Sequence, residues 1–254
     1  MLTYFDAALN GEWMSSLDES VYVLDVHENA AEKVLSHEWD MRSGSRYGGR
    51  FRTSLSVTVL FYIIQPDPYL RAEVLQLVQD WARKGGMLEI GGRSGQTLFV
   101  KCENPPLMQS ASKWTDVLQL TFTAYEFPFW RGMNSANVTI TENGSIYPGG
   151  ACDEMPVDVT VKNIGKTAVT RVRLSVNESV LEFTGISIPA DKTLVVQHDQ
   201  NGVLSAKIGD ESILIRRTDE SSDDLLAFGG DENSLSVSSD GSVSARFSVW
   251  EVWP

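Results

Sequence analysis

The sequence predicts a mainly β protein, in which an α+β N-terminal domain with one helix precedes an all-β C-terminal domain. Three observations support this fold class. Residues 51–64 alternate in polarity as a long strand does, and residues 67–86 carry apolar side chains at helical spacing. From about residue 157 onward, short alternating segments are separated by Gly, Asn and Asp, which is typical of a β-sandwich.

The first predicted strand covers residues 51–64. Apolar or β-branched residues occupy its odd positions, and the even positions become apolar only from Leu60 onward. This pattern predicts a strand that is half exposed at its start and buried on both faces at its end.

The predicted helix follows this strand directly. Asp67 is a suitable N-cap and Pro68 suits the first helical position. Arg83 and Lys84 favour the negative end of the helix dipole, and the pair 85–86 is two glycines that stop the helix. One apolar stripe is expected to face a sheet, formed by Leu70, Val74, Leu77, Val78 and Trp81.

The sheet is predicted to continue after the helix. Residues 87–90 and 98–100 are strand candidates, joined by the glycine-rich turn 91–95. After two prolines, a further strand is predicted from Trp114 to Tyr125. One face of that strand carries Leu118, Leu120, Phe122 and Ala124.

A domain boundary is predicted near Gly132, because residues 133–137 are polar and loop-like. The predicted domains are therefore residues 1–132 and 133–254. The second domain is interpreted as a β-sandwich, and its strand candidates are residues 157–161, 169–176, 193–197, 212–216, 234–238 and 242–253.

The segment AYEFPFWRG, residues 124–132, concentrates four aromatic rings at this boundary, from Tyr125, Phe127, Phe129 and Trp130. Such rings bury large apolar areas, so a free linker is not expected here. One interpretation is that they pack beneath the first domain and between the two domains. The alternative is an exposed patch that contacts another subunit.

Two tryptophans near the C-terminus, Trp250 and Trp253, fall on opposite faces of the last predicted strand. We expect one of them to point inward and the other to lie near the rim of the sandwich. A rim tryptophan could close the end of the sandwich, contact a partner or stack on a sugar.

The charge and hydropathy of the chain exclude several classes of function. The formal net charge of -13 disfavours binding to a phosphate backbone, so no nucleic-acid binding is predicted. No window has the length of apolar sequence that a membrane span needs. The first residues show no basic segment followed by an apolar one, which predicts synthesis in the cytoplasm without export.

No catalytic, metal or cofactor site is predicted. His27, His37 and His198 lack the spacing of a zinc motif, and each is interpreted as a surface histidine or a hydrogen-bonded core histidine. Residues 219–224 contain four carboxylates and are interpreted as a solvated acidic loop, with a calcium site as the alternative. Cys102 and Cys152 are interpreted as unpaired thiols.

Several strings together resemble the distal tail protein family of long-tailed phages and prophages. They are residues 2–6 (LTYFD), 81–86 (WARKGG), 93–100 (RSGQTLFV), 113–116 (KWTD) and 120–130 (LTFTAYEFPFW). The resemblance covers nearly the whole chain and is densest between residues 88 and 130.

The resemblance implies a structural protein without enzymatic activity. Its α+β N-terminal domain, with a β-sheet or split barrel and one helix, would close into a homohexameric ring at the tail tip of the virion. A galectin-like sandwich would hang outside that ring, and galectin-like describes a fold only. The partners implied are the tail tube protein, the tail-tip or tail-associated lysin protein, and a receptor-binding protein. The alternative function is a carbohydrate-binding accessory protein of a phage tail.

Overall fold

This computed structural model of the protein describes residues 5–38, 45–104, 117–125, 127–152, 155–200 and 202–253. The chain divides into two units, Met1–Trp130 and Arg131–Pro254. Nearly all of the regular structure consists of antiparallel strands, so the mainly β prediction is confirmed.

Unit 1 is one antiparallel sheet with a helix. Its elements are β1 (Ala7–Leu9), β2 (Glu12–Trp13), β3 (Val21–Glu38), β4 (Ser45–Ile63), α1 (Pro68–Arg83), β5 (Gly86–Ile90), β6 (Gln96–Asn104) and β7 (Leu118–Ala124). A short 3-10 helix, Met14–Ser16, follows β2. The strands pair in the order β2-β1-β5-β6-β7-β4-β3.

Helix α1 begins and ends as predicted. The Asp67 side chain accepts hydrogen bonds from the backbone N–H groups of Tyr69 and Leu70, and Pro68 is the first helical residue. Past the C-terminal end, Gly85 has a φ of +58°, a left-handed conformation that glycine adopts without strain. Both ends of the helix are therefore encoded locally.

The N-cap contribution of Asp67 can be measured directly. We expect Asp67→Ala to lower the free energy of unfolding by about 1 kcal/mol, because two backbone donors lose their acceptor. Urea denaturation of Asp67→Ala and of Asp67→Ser tests this, since serine still caps. Equal losses in the two variants would contradict the capping role.

The buried face of α1 differs from the predicted stripe. Val74, Val78 and Trp81 are buried as expected, but Leu70 and Leu77 are 47% and 44% exposed. The buried face is rotated toward Leu75, Gln79 and Ala82, which are also buried. The prediction was wrong at the two leucines because the spacing of apolar residues fits two overlapping stripes around the helix.

The core of unit 1 lies between α1 and the sheet. The Trp81 ring meets the Phe122 ring edge-on, with centroids 5.7 Å apart, and the Trp81 indole N–H donates to the backbone oxygen of Glu12 at 3.1 Å. On β7, Leu120, Phe122 and Ala124 are buried as predicted. That strand begins at Leu118; the predicted start at Trp114 and the string at 113–116 lie outside the described residues, as do residues 2–4.

Strands β3 and β4 form a long hairpin that extends past the sheet. Their pairing runs from Val21 opposite Ile63 to Glu38 opposite Ser45. Strand β7 pairs with β4 only between Leu55 and Phe61. Within the described part of the chain, the rest of the hairpin is a two-stranded ribbon, and the outer edge of β3 pairs with no strand.

Unit 2 contains two antiparallel sheets. Its strands are β8 (Trp130–Ile140), β9 (Asn143–Ile146), β10 (Met155–Asn163), β11 (Val169–Val176), β12 (Ser179–Ile188), β13 (Thr193–His198), β14 (Leu204–Ile208), β15 (Glu211–Ser212), β16 (Leu226–Ala227), β17 (Asn233–Ser239) and β18 (Val243–Trp253). One sheet has the order β15-β14-β13-β10-β18-β8, with β16 beside β10, and the other has the order β12-β11-β17-β9. Alternate residues are buried along the central strands, as in a β-sandwich.

Two assignments in unit 2 are corrected by the structure. Residues 133–137, expected to be a loop, belong to β8, whose polar side chains are mostly exposed while its backbone joins the sheet next to β18. The strand predicted at 212–216 is instead the end of β15 followed by the 3-10 helix Leu214–Arg216. For residues 133–137, strand pairing decides the conformation, and sequence alternation does not report such pairing.

Candidate functional site

The aromatic segment at the end of unit 1 contains both buried and exposed rings. Tyr125 is 43% exposed, whereas Phe127 and Phe129 are half-buried with ring centroids 5.4 Å apart. Trp130 is fully buried. The four residues therefore do not form one continuous exposed patch, and Tyr125 is the most accessible of them.

Trp130 is held by a charged pair of unit 1. Its indole N–H donates to Glu28 Oε2 at 2.8 Å, and the Arg93 guanidinium lies 5.2 Å from the centre of its ring. Arg93 also donates from Nε to Glu28 Oε1 at 2.7 Å. Glu28 of β3 thus bridges Trp130 and the turn that contains Arg93.

The two C-terminal tryptophans differ in burial. Trp250 is 7% exposed and Trp253 is half-buried. The Trp250 indole N–H donates to Asp158 Oδ2 at 2.8 Å. The Arg131 guanidinium covers one face of this ring, with its carbon 3.1 Å from the ring centre. Trp250 is therefore part of a buried polar network.

The centre of this network is His198, whose side chain is fully buried between two carboxylates. Its Nδ1 lies 2.8 Å from Asp158 Oδ1, and its Nε2 lies 2.7 Å from Asp224 Oδ1. Its ring meets Trp250 edge-on at 5.6 Å. We call these four residues, His198, Asp158, Asp224 and Trp250, the His198 cluster.

The cluster requires a charged imidazole. Both ring nitrogens face carboxylate oxygens, so both act as donors only when the ring is protonated. Burial opposes this charge, but the hydrogen bonds and charges of Asp158 and Asp224 outweigh burial and raise the pKa of His198 to about 9. The buried imidazolium and its two half-buried carboxylates form an ion triad that ties strands β10 and β13 to the loop before β16.

Sequence reasoning classed His198 as a surface or hydrogen-bonded core histidine, and the second of these descriptions is the observed one. Sequence reasoning did not predict the His198 cluster. Asp224 was placed in a solvated acidic loop; Asp223 is fully exposed, but Asp224 turns inward to His198. No spacing rule joins residues 158, 198, 224 and 250, because only strand pairing brings them together.

Within the described ranges, the structure shows neither a metal-binding group of side chains nor a membrane-spanning helix. No group of three or more His, Cys, Asp or Glu side chains there could hold a metal ion. None of the helices in the same ranges is long and apolar enough to cross a membrane.

Comparison with known proteins gives a structural match. No protein-family model matches the chain, and no curated protein matches it. The crystal structure of the phage SPP1 Dit (gp 19.1) protein is similar over 98% of this chain and 99% of that chain, with a TM-score of 0.71 and 9% identity. That protein is described as a paradigm of the hub adsorption apparatus in phages that infect Gram-positive bacteria.

Two structures of the phage P2 baseplate in its activated conformation, with Ca and with Sr, also match. They cover 91% of this chain and 90% of theirs, with TM-scores of 0.47 and 0.44 and identities of 9% and 10%. The resemblance inferred from the sequence strings is confirmed for the fold: this protein has the fold of the SPP1 Dit hub protein along almost its entire length.

Proposed function

We propose that this protein is a structural component of a phage tail, a distal tail protein that forms the ring-shaped hub between the tail tube and the tail tip. The observation that carries the proposal is the fold match to the SPP1 Dit hub protein, which extends over both units and over 99% of that chain. A structural role needs no catalytic constellation, and the His198 side chain of unit 2 is bound to Asp158 and Asp224.

The hairpin of unit 1 supports assembly with further copies of the chain. A two-stranded ribbon is only marginally stable in water, and an unpaired strand edge is a template for another chain. The β3–β4 ribbon and the outer edge of β3 have both properties within the described residues. A head-to-tail contact of this kind, repeated with rotation, closes a ring, for which we propose six copies.

Exposed apolar side chains lie near the same hairpin. Leu24 sits at a bulge of β3, where the register shifts between Val23 and Asp25, and it is 41% exposed. Tyr22 is 44% exposed and its ring stacks on that of Tyr62, with centroids 5.3 Å apart. Together with Tyr125, these residues are our proposed subunit contacts.

The remaining partners follow from the same proposal. The ring would bind the tail tube protein on one side and the tail-tip or tail-associated lysin protein on the other, with a receptor-binding protein attached in the assembled virion. The chain would be made in the cytoplasm of the bacterial host and then joined to the tail tip.

Oligomeric mass tests the proposal. We expect light scattering behind a sizing column to give the mass of a hexamer for the purified chain. Leu24→Glu should shift this mass toward the monomer, because a charge at a closed contact must be desolvated without a partner. Val203→Glu is the matched control, since Val203 is 58% exposed in unit 2 and no contact is proposed there.

Two results would contradict the ring. The first is a wild-type chain that is monomeric at every concentration, because such a chain does not form a ring by itself. The second is a Leu24→Glu variant with an unchanged hexameric mass, which would show that β3 is not part of the subunit contact.

The alternative function, glycan binding by an aromatic platform of unit 2, is weakened by the surroundings of Trp250. Stacking on a sugar needs an exposed ring face. Trp250 is 7% exposed and one of its faces lies under Arg131. Trp253 is half-buried and is the remaining candidate of the two.

A further inference from the structure

Arg131 is half-buried, yet its guanidinium has no hydrogen-bond acceptor in the described part of the chain. It stacks on the Trp250 ring at 3.1 Å and forms no ion pair there. Burial lowers the pKa of Arg131 to about 10, with the charge of Asp158 acting in the opposite direction, so the group remains cationic at neutral pH. Five N–H donors are thus partly withdrawn from water without an acceptor from the protein.

Asp158 is the carboxylate whose charge acts on Arg131, but both of its oxygens already accept hydrogen bonds from other groups. Oδ1 accepts from the His198 backbone N–H and faces the ring Nδ1, while Oδ2 accepts from the Trp250 indole. The negative charge of Asp158 is compensated mainly by His198. The guanidinium is therefore held in place by stacking, with its N–H edge available.

Arg131 is one of the residues that line a cavity of about 180 Å³. Its walls offer the guanidinium and further polar groups, and they include Arg131, Asn134, Ser135, Asp158, Ser248 and Trp250. We call it the Arg131 pocket. This volume accommodates a small organic group as well as water. All of its walls belong to unit 2.

The charges of the pocket select among anions. A planar guanidinium pairs with the two oxygens of a carboxylate through two parallel hydrogen bonds. Asp158 also lines the pocket, and its carboxylate repels a doubly charged phosphate more strongly than a singly charged carboxylate. The combination of one available cation and one nearby anion therefore favours a monoanion.

We propose that the Arg131 pocket binds a carboxylate, carried by a small organic acid or by a sugar acid. Arg131 supplies the paired hydrogen bonds, the Trp250 ring fixes the plane of the guanidinium, and Ser135 and Asn134 provide polar contacts at the entrance. This function is separate from ring assembly and would hold for a protein that is not a hub.

Calorimetric titration of the full-length protein tests the proposal, with sodium acetate, sodium glucuronate, glucose and inorganic phosphate as probes. We expect both carboxylates to bind and glucose not to bind. Equal affinity for acetate and glucuronate would identify the carboxylate alone as the ligand. At least tenfold tighter binding of glucuronate would identify a sugar acid.

Four variants separate the role of the guanidinium from general charge and from folding. Arg131→Gln should weaken carboxylate binding at least tenfold, and Arg131→Lys should weaken it as well, because an ammonium lacks the planar pair of donors. Arg216→Gln, which removes an exposed arginine of the same unit, should leave binding unchanged. Ser135→Asp adds a negative charge to the lining of the pocket while Arg131 and Trp250 are kept, and should abolish binding.

The outcomes that overturn the proposal are distinct. No carboxylate binding to the wild-type protein would do so, as would equal binding by wild type and Arg131→Gln. Tighter binding of phosphate than of either carboxylate would overturn the selection of a monoanion. None of these results changes the expected mass of the ring, so the two proposals fail separately.

Discussion

Trp130→Ala is expected to lower the free energy of unfolding by about 3 to 5 kcal/mol, the usual cost of removing a large buried aromatic side chain. Trp130 is fully buried, so its removal leaves a cavity in addition to the lost apolar transfer. Glu28 also loses the indole donor at 2.8 Å, although it keeps Arg93. Chemical denaturation followed by circular dichroism measures the loss.

Two further variants divide this loss into its parts. Trp130→Phe keeps most of the ring and removes the hydrogen bond, so we expect a loss of about 1 to 2 kcal/mol. Tyr69→Ala truncates an aromatic residue that is 83% exposed, and should change stability by only a few tenths of a kcal/mol. Equal effects of Trp130→Ala and Tyr69→Ala would show that the Trp130 ring is not buried in solution.

The stability of unit 2 is expected to fall by about 3 kcal/mol as the pH rises from 6.5 through 9. The hydrogen bonds to Asp158 and Asp224 raise the pKa of His198 to about 9 despite its burial. A raised pKa means that the folded state binds the proton more tightly than the unfolded state. The stabilisation is therefore complete below pH 6.5 and is lost as His198 deprotonates.

Denaturation midpoints measured between pH 6 and pH 10 check this prediction. His198→Asn should be less stable at pH 6, because two half-buried carboxylates lose their counter-ion, and its stability should depend much less on pH in this window. His27→Asn is the control, since the His27 side chain is 57% exposed. A wild-type pH profile retained in His198→Asn would exclude His198 as the titrating group.

Features encoded by neighbouring residues were predictable from the sequence. Asp67, Pro68 and the glycines at 85–86 set both ends of α1, because capping depends on residues within one turn of the helix end. Alternation likewise located β10 and β11, in which buried and exposed residues follow one another closely. The fold class followed from these local signals taken together.

Features that depend on distant partners were not predictable in the same way. Residues 133–137 of β8 are mostly polar and exposed, so their pattern resembles a loop until β18 supplies the backbone partner. The His198 cluster is the clearest case at the level of a site. Asp158 and Trp250 are 92 residues apart in the chain, yet they share a hydrogen bond.

The unpaired edge of β3 also affects how the protein behaves before it meets other copies. An open edge accepts any extended chain, so ordered closure competes with fibrous aggregation in a concentrated stock. Asp25 lies in β3 and is partly exposed, and a charged side chain beside an open edge disfavours pairing with a further chain. Pairing between chains depends on their concentration, so the protein is best purified and stored dilute.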